Sequence, residues 1–127
     1  MSDRKTIFTK NAPTPVGPYS QAVCVDHLVF VSGQIPIDPK TSQIVEGGIE
    51  QQTVQVLENI KSILESLHLA MSDIVKTSVF LSDFADFKSF NAVYSRYFEN
   101  NPPARTTVQA GLMSNVLVEI DAIAKKS

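Results

Sequence analysis

Residues 49–68 place the tightest constraint on the fold. Val54, Leu57, Ile60, Leu64 and Leu67 recur at spacings of three and four, with Gln, Glu, Asn and Lys between them. That period predicts an amphipathic helix with one apolar stripe. Past Ser72-Asp73, residues Ile74 to Leu81 are β-branched and mostly apolar, which predicts a strand. A one-sided helix running into a strand requires an architecture that layers one on the other.

The rest of the chain supplies more of both. Residues 11–18 hold Pro13, Pro15 and Pro18 with Gly17 and predict an ordered loop. Runs 19–25 and 28–33, parted by Asp26-His27, predict a hairpin. Pro36, Pro39, Thr41, Ser42 and Gly47-Gly48 mark a long connection. Phe87, Phe90, Tyr94 and Phe98 give a second helical stripe over about 84–98, closed by Pro102-Pro103. Two last runs, Ala104 to Val108 and Val116 to Ile120, read as a closing hairpin. The order is β-β-α-β-α-β-β, without repeats or linkers. It predicts a single domain over 1–127, an α+β fold in which two helices cover one face of a mixed sheet.

In the closing hairpin, even positions Thr106, Val108, Ala110, Val116, Val118, Ile120 and Ala122 read as a core face. Odd positions Arg105, Thr107, Gln109, Glu119 and Asp121 then share the other face, because strand side chains alternate. Two helices leave that second face uncovered, which predicts a partner subunit over it and sites between subunits.

Composition narrows the function. The chain has 127 residues and a formal charge of −2, with no basic block. Phosphate binding needs clustered Lys or Arg, so nucleic acid is not the expected partner. No apolar run reaches the length of a membrane span. Residues 1–10 lack the apolar core of a signal peptide, and the one cysteine, Cys24, has no internal partner, so a cytoplasmic setting is expected. His27 and His68 have no Cys or carboxylate at metal-ligand spacing, and no phosphate loop, dinucleotide fingerprint or G-x-S-x-G is present. No metal is expected, and nucleotides and covalent serine catalysis are unsupported.

Each candidate site residue has a plain structural alternative. Arg105 suits bidentate capture of a carboxylate, or else an ion pair to Glu119 or Asp121 across the hairpin. Glu119, between Val118 and Ile120, suits a partly buried proton acceptor, or a salt bridge. Tyr19 follows Gly17-Pro18 and points a phenol into a pocket or into the core. Ser32-Gly33 at a strand end offers close backbone approach, or a simple turn. Asn91 interrupts an aromatic helix face, either as a surface amide or as a partner to something buried. Phe87 and Tyr94 read as core rather than as contacts. Cys24 reads as packing.

Taken together, several stretches resemble the RidA/YjgF reactive-intermediate deaminase family. They are Gly17-Pro18-Tyr19-Ser20-Gln21-Ala22, Val31-Ser32-Gly33-Gln34, Asp38-Pro39-Lys40-Thr41, Leu57-Glu58-Asn59, Asp86-Phe87, Asn91, Tyr94, Pro103-Ala104-Arg105 and Val118-Glu119-Ile120. The resemblance implies a chorismate-mutase-like fold and a homotrimer with sheets facing inward. It also implies cofactor-free hydrolysis of 2-imino acids to 2-oxo acids and ammonia. By position, it implies that Arg105 holds the substrate carboxylate, that Glu119 stands near the attacking water and that Tyr19 belongs to the site. It further implies that Ser32, Gly33 and Asn91 line the pocket, with Thr107 where many members carry cysteine. A thiol at that position is therefore not required here. The turn Leu112-Met113-Ser114-Asn115 departs from the family's Leu-Pro-Lys-like sequence and is one residue short, and Ser42 replaces a turn glycine. The rival readings are a small-molecule sensor that uses the Arg105 pocket without turnover, a paralogue acting on another catabolic intermediate, and an endoribonuclease. The low charge weighs against the last.

Overall fold

The computed structural model describes residues 4–127. Eight strands and two helices follow in the order β1 (Arg4–Ile7), β2 (Ala22–Val25), β3 (Leu28–Gln34), β4 (Ile37–Asp38), β5 (Gln43–Ile44), α1 (Ile49–Glu65), β6 (Ile74–Leu81), α2 (Phe87–Tyr97), β7 (Ala104–Gln109) and β8 (Val118–Lys125). Six strands form one sheet in the order β1-β2-β3-β8-β6-β7, and β4 and β5 form a small ribbon. Within the large sheet β6 and β7 run parallel and the other neighbours antiparallel. The mixed α+β architecture is therefore as the patterning predicts.

Local chemistry accounts for the main elements. The β2–β3 hairpin turns at Asp26-His27, with Asp26 at φ 53°, the left-handed conformation that tight hairpin turns need. Gly47 takes φ 111°, and the Gln51 side chain accepts a hydrogen bond from the Gly48 N–H at 2.9 Å, which closes the start of α1. Val56, Leu57, Ile60, Ile63 and Leu64 of α1 are fully buried against Val29, Val79, Ile120 and Ala124 of the sheet. Each large apolar side chain so buried contributes about 1.5–3 kcal/mol. Val54 lies outside this stripe and is exposed, and Gln52, Thr53 and Asn59 are buried in its place. The amides have work there: Gln52 bonds Asn115 O and Leu117 N, and Asn59 bonds Ile35 O and Ile37 O.

The sequence reading missed β1, whose Arg4, Lys5 and Thr6 are exposed on an edge strand with no apolar alternation to reveal it. The 36–48 connection contains the β4–β5 ribbon, where Ser42 adopts φ 59°, a glycine-like conformation. The second helix divides into a 3₁₀ turn, Phe84–Asp86, and α2.

The closing hairpin does not form. β7 and β8 are not neighbours, because β6 lies between them. Both ends of the 110–117 connection are tied to the end of β6: Ala110 N donates to Leu81 O at 2.9 Å, and Ser82 N donates to Leu117 O at 3.0 Å. β6, α2 and β7 instead make a parallel pair with a helical crossover, the connection that parallel strands require.

This rearrangement changes the faces. In β6, Thr77, Val79 and Leu81 are buried beneath the helices. Arg105 pairs with Thr77 and Thr107 with Val79, so both point to the helix side. Glu119 pairs with Phe80 and Asp121 with Ser78, so both point to the opposite, open side. Thr106 and Val108, expected in the core, are exposed on that open side, since none of the described residues covers the edge strand there. The open face also carries Phe30, Phe80 and Ile123, with Phe30 42% exposed.

Candidate active site

Arg105 is held by one face of α2. Phe87, Phe90, Asn91 and Tyr94 follow one another at helical spacing, and all four meet the guanidinium. It lies 4.8 Å from the Tyr94 ring centre and 5.7 Å from those of Phe87 and Phe90. These are distances at which a ring face attracts a cation. Nη1 donates to Asn91 Oδ1 at 2.8 Å. The Tyr94 ring is fixed by a 2.7 Å hydrogen bond between its hydroxyl and that of the buried Thr77. Burial holds the Tyr94 phenol above its ordinary pKa, against the opposing influence of Thr77 and Arg105, so it stays neutral.

The ion pair weighed for Arg105 is absent, because Glu119 and Asp121 project from the other side of the sheet. An amide and three rings position the guanidinium without neutralising it. Arg105 lines two clefts of about 510 Å³ each, one against Phe84, Phe87 and Thr107 and the other against Asn91, Tyr94 and Phe98. Phe84 and Phe87 pack edge-to-face, with ring centres 6.0 Å apart. The Phe84 N–H donates to Gln109 Oε1 at 2.8 Å, which ties the aromatic wall to the end of β7. Tyr94, read from sequence as core, is buried there and also meets Arg105, whereas Phe87, read the same way, is exposed and meets Arg105 from the surface. The signal was their spacing around Asn91, whose functional side only the tertiary pairing reveals.

Glu119 has a different setting. It lies half-buried on the open face, and burial, reinforced by the like charge of Asp121, pushes its carboxyl pKa up. Its carboxylate passes over Gly33, where β3 spends three residue steps, Val31 to Gln34, against two on β8, Ala122 to Ile120. That bulge inserts one residue, and a Cβ on Gly33 would collide with Glu119 Oε2. Ser32, in the same bulge, bonds back to the loop that leads into β2: its N–H donates to Gln21 O at 3.0 Å and its Oγ donates to Ser20 O.

Tyr19 precedes that anchored pair. It is half exposed, and its Oη accepts a long 3.4 Å bond from Val16 N–H. The loop before it is clamped by Gln21, a buried amide that accepts from Thr9 N–H at 2.7 Å and donates to Thr9 O at 3.0 Å and Pro13 O at 2.9 Å. Sequence reasoning singled out Tyr19 but not Gln21, the residue that sets its loop.

The candidate residues therefore fall into two groups within one chain. Arg105, Asn91 and Thr107 lie on the helix side of the sheet. Glu119 and Gly33 lie on the open side, and Tyr19 stands in the loop joined to Ser32. Cys24 is buried in the core. Among the described residues, no group of three or more His, Cys, Asp or Glu is placed to hold a metal ion, and no helix is long and apolar enough to cross a membrane.

The profile of the family described as endoribonuclease L-PSP matches residues 9–126. A RutC family protein of Saccharolobus solfataricus is 52% identical over 125 residues, covering 98% of this chain and 99% of its own. The 2-iminobutanoate/2-iminopropanoate deaminase of Homo sapiens is 43% identical over 122 residues, covering 95% and 89%. The crystal structure of E. coli TdcF with bound serine superposes with a TM-score of 0.92 at 40% identity, covering 97% and 99%.

Proposed function

Because the chain belongs to the endoribonuclease L-PSP family, that of the RidA and YjgF proteins, we propose that it hydrolyses small 2-imino acids to 2-oxo acids and ammonia. The observation that carries this is the state of Arg105. Its guanidinium is aligned by Asn91, backed by Tyr94 and, among the described residues, left without a carboxylate, beside a cleft walled by Phe84 and Phe87. A fixed, un-neutralised fork is a receptor for a carboxylate, and the rings suit a short aliphatic chain. A relative named for 2-iminobutanoate and 2-iminopropanoate has substrates of that description.

The reaction asks little of the protein. The carbon of a protonated C=N group is already electrophilic. Arg105 fixes the carboxylate and so aims that carbon. Glu119, its pKa raised by burial, takes a proton from water as the water oxygen bonds to C2 and the π pair moves to nitrogen. The same proton then passes to the nitrogen, the C–N bond breaks and ammonia leaves. The carbinol hydroxyl passes its proton to Glu119, ionised again by the previous step, as the 2-oxo group forms, and Glu119 then releases that proton to solvent. No thiol takes part.

Arg105 and Glu119 cannot meet one substrate inside a single copy, since the sheet separates them. We therefore assign the site to two copies. One contributes Arg105, Asn91 and Thr107 from its edge strand and α2. Its neighbour contributes Glu119, Gly33 and Tyr19 from its open face. The reading is supported by the position of β7 at the sheet edge and by the uncovered apolar residues Phe30 and Val108 on the open face. A closed homotrimer of this head-to-face kind repeats the site three times.

The test is ammonia release from 2-iminobutanoate generated in situ, measured against the buffer rate. A second reading, binding without turnover, is favoured by the TdcF complex with serine, an amino acid that has no C=N bond. A rate no greater than buffer, together with 2-oxobutanoate binding that depends on Arg105, selects that reading.

A further inference from the structure

Thr77 is the polar residue among the buried side chains of β6, where Val79 and Leu81 share its helix-facing side. Valine would fill the same shape without the cost of burying a hydroxyl. The hydroxyl is matched by a distant partner: its Oγ1 lies 2.7 Å from Tyr94 Oη on α2. Thr77 is also the residue that pairs with Arg105 in the parallel register of β6 and β7. It thus stands beside the arginine whose guanidinium the Tyr94 ring backs.

Two contacts do most to set the pose of that guanidinium. The 2.8 Å bond from Nη1 to Asn91 Oδ1 fixes its rotation, and the Tyr94 ring, centred 4.8 Å from Cζ, fixes where it lies against α2. Bidentate capture of a carboxylate uses two parallel N–H bonds, which tolerate little displacement of the fork. Tyr94 is itself packed along α2 between Phe90 and Phe98, with ring centres 5.3 Å and 4.6 Å away. Those apolar contacts are non-directional, whereas the hydroxyl bond to Thr77 sets the depth of the ring against the sheet. Without it the Tyr94 hydroxyl is buried and unpaired, and the ring must move for that hydroxyl to find a partner.

We propose that Thr77 is a positioning residue for carboxylate recognition, acting on Arg105 through the Tyr94 ring. This rests on the assignment of the ligand carboxylate to Arg105. Thr77 is fully buried, so it touches no ligand and its effect on binding is wholly indirect. A residue that only holds the fold together changes affinity in step with stability. A positioning residue lets the two part company, and the Thr77–Tyr94 pair is built so that they can be separated.

The experiment measures 2-oxobutanoate binding by calorimetry and stability by urea unfolding. The proteins are the wild type, Thr77→Val, Thr77→Ser, Tyr94→Phe, the double variant Thr77→Val with Tyr94→Phe, and Arg105→Ala. Either single replacement strands one buried hydroxyl and lowers stability, whereas the double variant removes both hydroxyls and recovers much of the loss. Affinity is expected to weaken about three- to tenfold in Thr77→Val and in Tyr94→Phe, and to stay weak in the double variant, because the ring is still unpinned. Thr77→Ser keeps the bond and the wild-type affinity. If Thr77→Val does not fold, Tyr94→Phe and the double variant carry the same comparison. Affinity that tracks stability across the set, or wild-type affinity in a folded Thr77→Val, overturns the proposal, and weak binding by Arg105→Ala then leaves the Arg105 assignment standing. Wild-type affinity in Arg105→Ala, or no binding by the wild type, overturns both.

Discussion

Arg105 and Glu119 project from opposite faces of one sheet, with Arg105 on the helix side beside Thr77 and Glu119 on the open side beside Phe80. The relationship follows from β6 lying between their strands. It makes the two best candidates for chemistry unable to serve one substrate in an isolated copy. Each therefore has its own environment, and each can be tested separately.

Arg105→Lys is expected to fail nearly as badly as Arg105→Ala. The Asn91 bond and the ring stack orient a planar fork, and a lysine ammonium reproduces the charge but not the geometry. Losing a charge-assisted bond costs ~1.5–3 kcal/mol, about ten- to a hundredfold in kcat/KM. A lysine variant with wild-type kcat/KM would remove the bidentate role.

Glu119→Gln is expected to bind 2-oxobutanoate while turnover falls by about 10²–10⁴. Burial, then the charge of Asp121, hold the Glu119 pKa above its usual 4.5. As a base it must be ionised, so the rate falls as pH drops through that raised value. The acid limb of the pH profile thus lies above the ordinary carboxylate range. Asp121→Asn removes a like charge, lowers the Glu119 pKa and moves that limb to lower pH. A limb unmoved by Asp121→Asn would assign it to another group.

Gly33→Ala tests the close approach. The added methyl must displace the Glu119 carboxylate or open the bulge. Turnover is expected to drop about tenfold or more with far-ultraviolet circular dichroism intact. Full activity in this variant would show that the position of Glu119 is not critical.

Cys24→Ser is expected to keep its activity per folded molecule, since the thiol is packed in the core on β2 and the proposed reaction uses no thiol. The buried hydroxyl should lower stability by ~1–3 kcal/mol, seen as an earlier midpoint in urea. Loss of turnover in the folded variant would contradict a thiol-free reaction.

Much of the fold is legible in local pattern. The spacing around Leu57 and Ile60 gives α1, the β-branched run from Ile74 gives β6, and Asp26-His27 gives the first hairpin. The failure at β7 is one of distance along the chain. Ala104–Gln109 and Val118–Lys125 follow each other in sequence and read as partners, but β6 enters between them from an earlier segment. With that neighbour unknown, the parity of Arg105 relative to Glu119 was assigned wrongly, although the alternation within β8 was right. In the candidate site, the residue types at Arg105, Asn91, Glu119 and Gly33 stand out in sequence. Their partners do not, because Asn91–Arg105 and Gly33–Glu119 are contacts between distant segments.

If each site draws Arg105 from one copy and Glu119 from another, two inactive variants should restore activity when mixed. Arg105→Ala and Glu119→Gln are unfolded together, refolded at equal ratio and assayed for imine hydrolysis beside each variant refolded alone. In a randomly mixed head-to-face ring, about a quarter of the sites pair an intact Arg105 with an intact Glu119. Recovery of about a quarter of the wild-type rate is expected. A mixture no more active than its two components, with sedimentation showing that mixed oligomers formed, would contradict a site shared between copies.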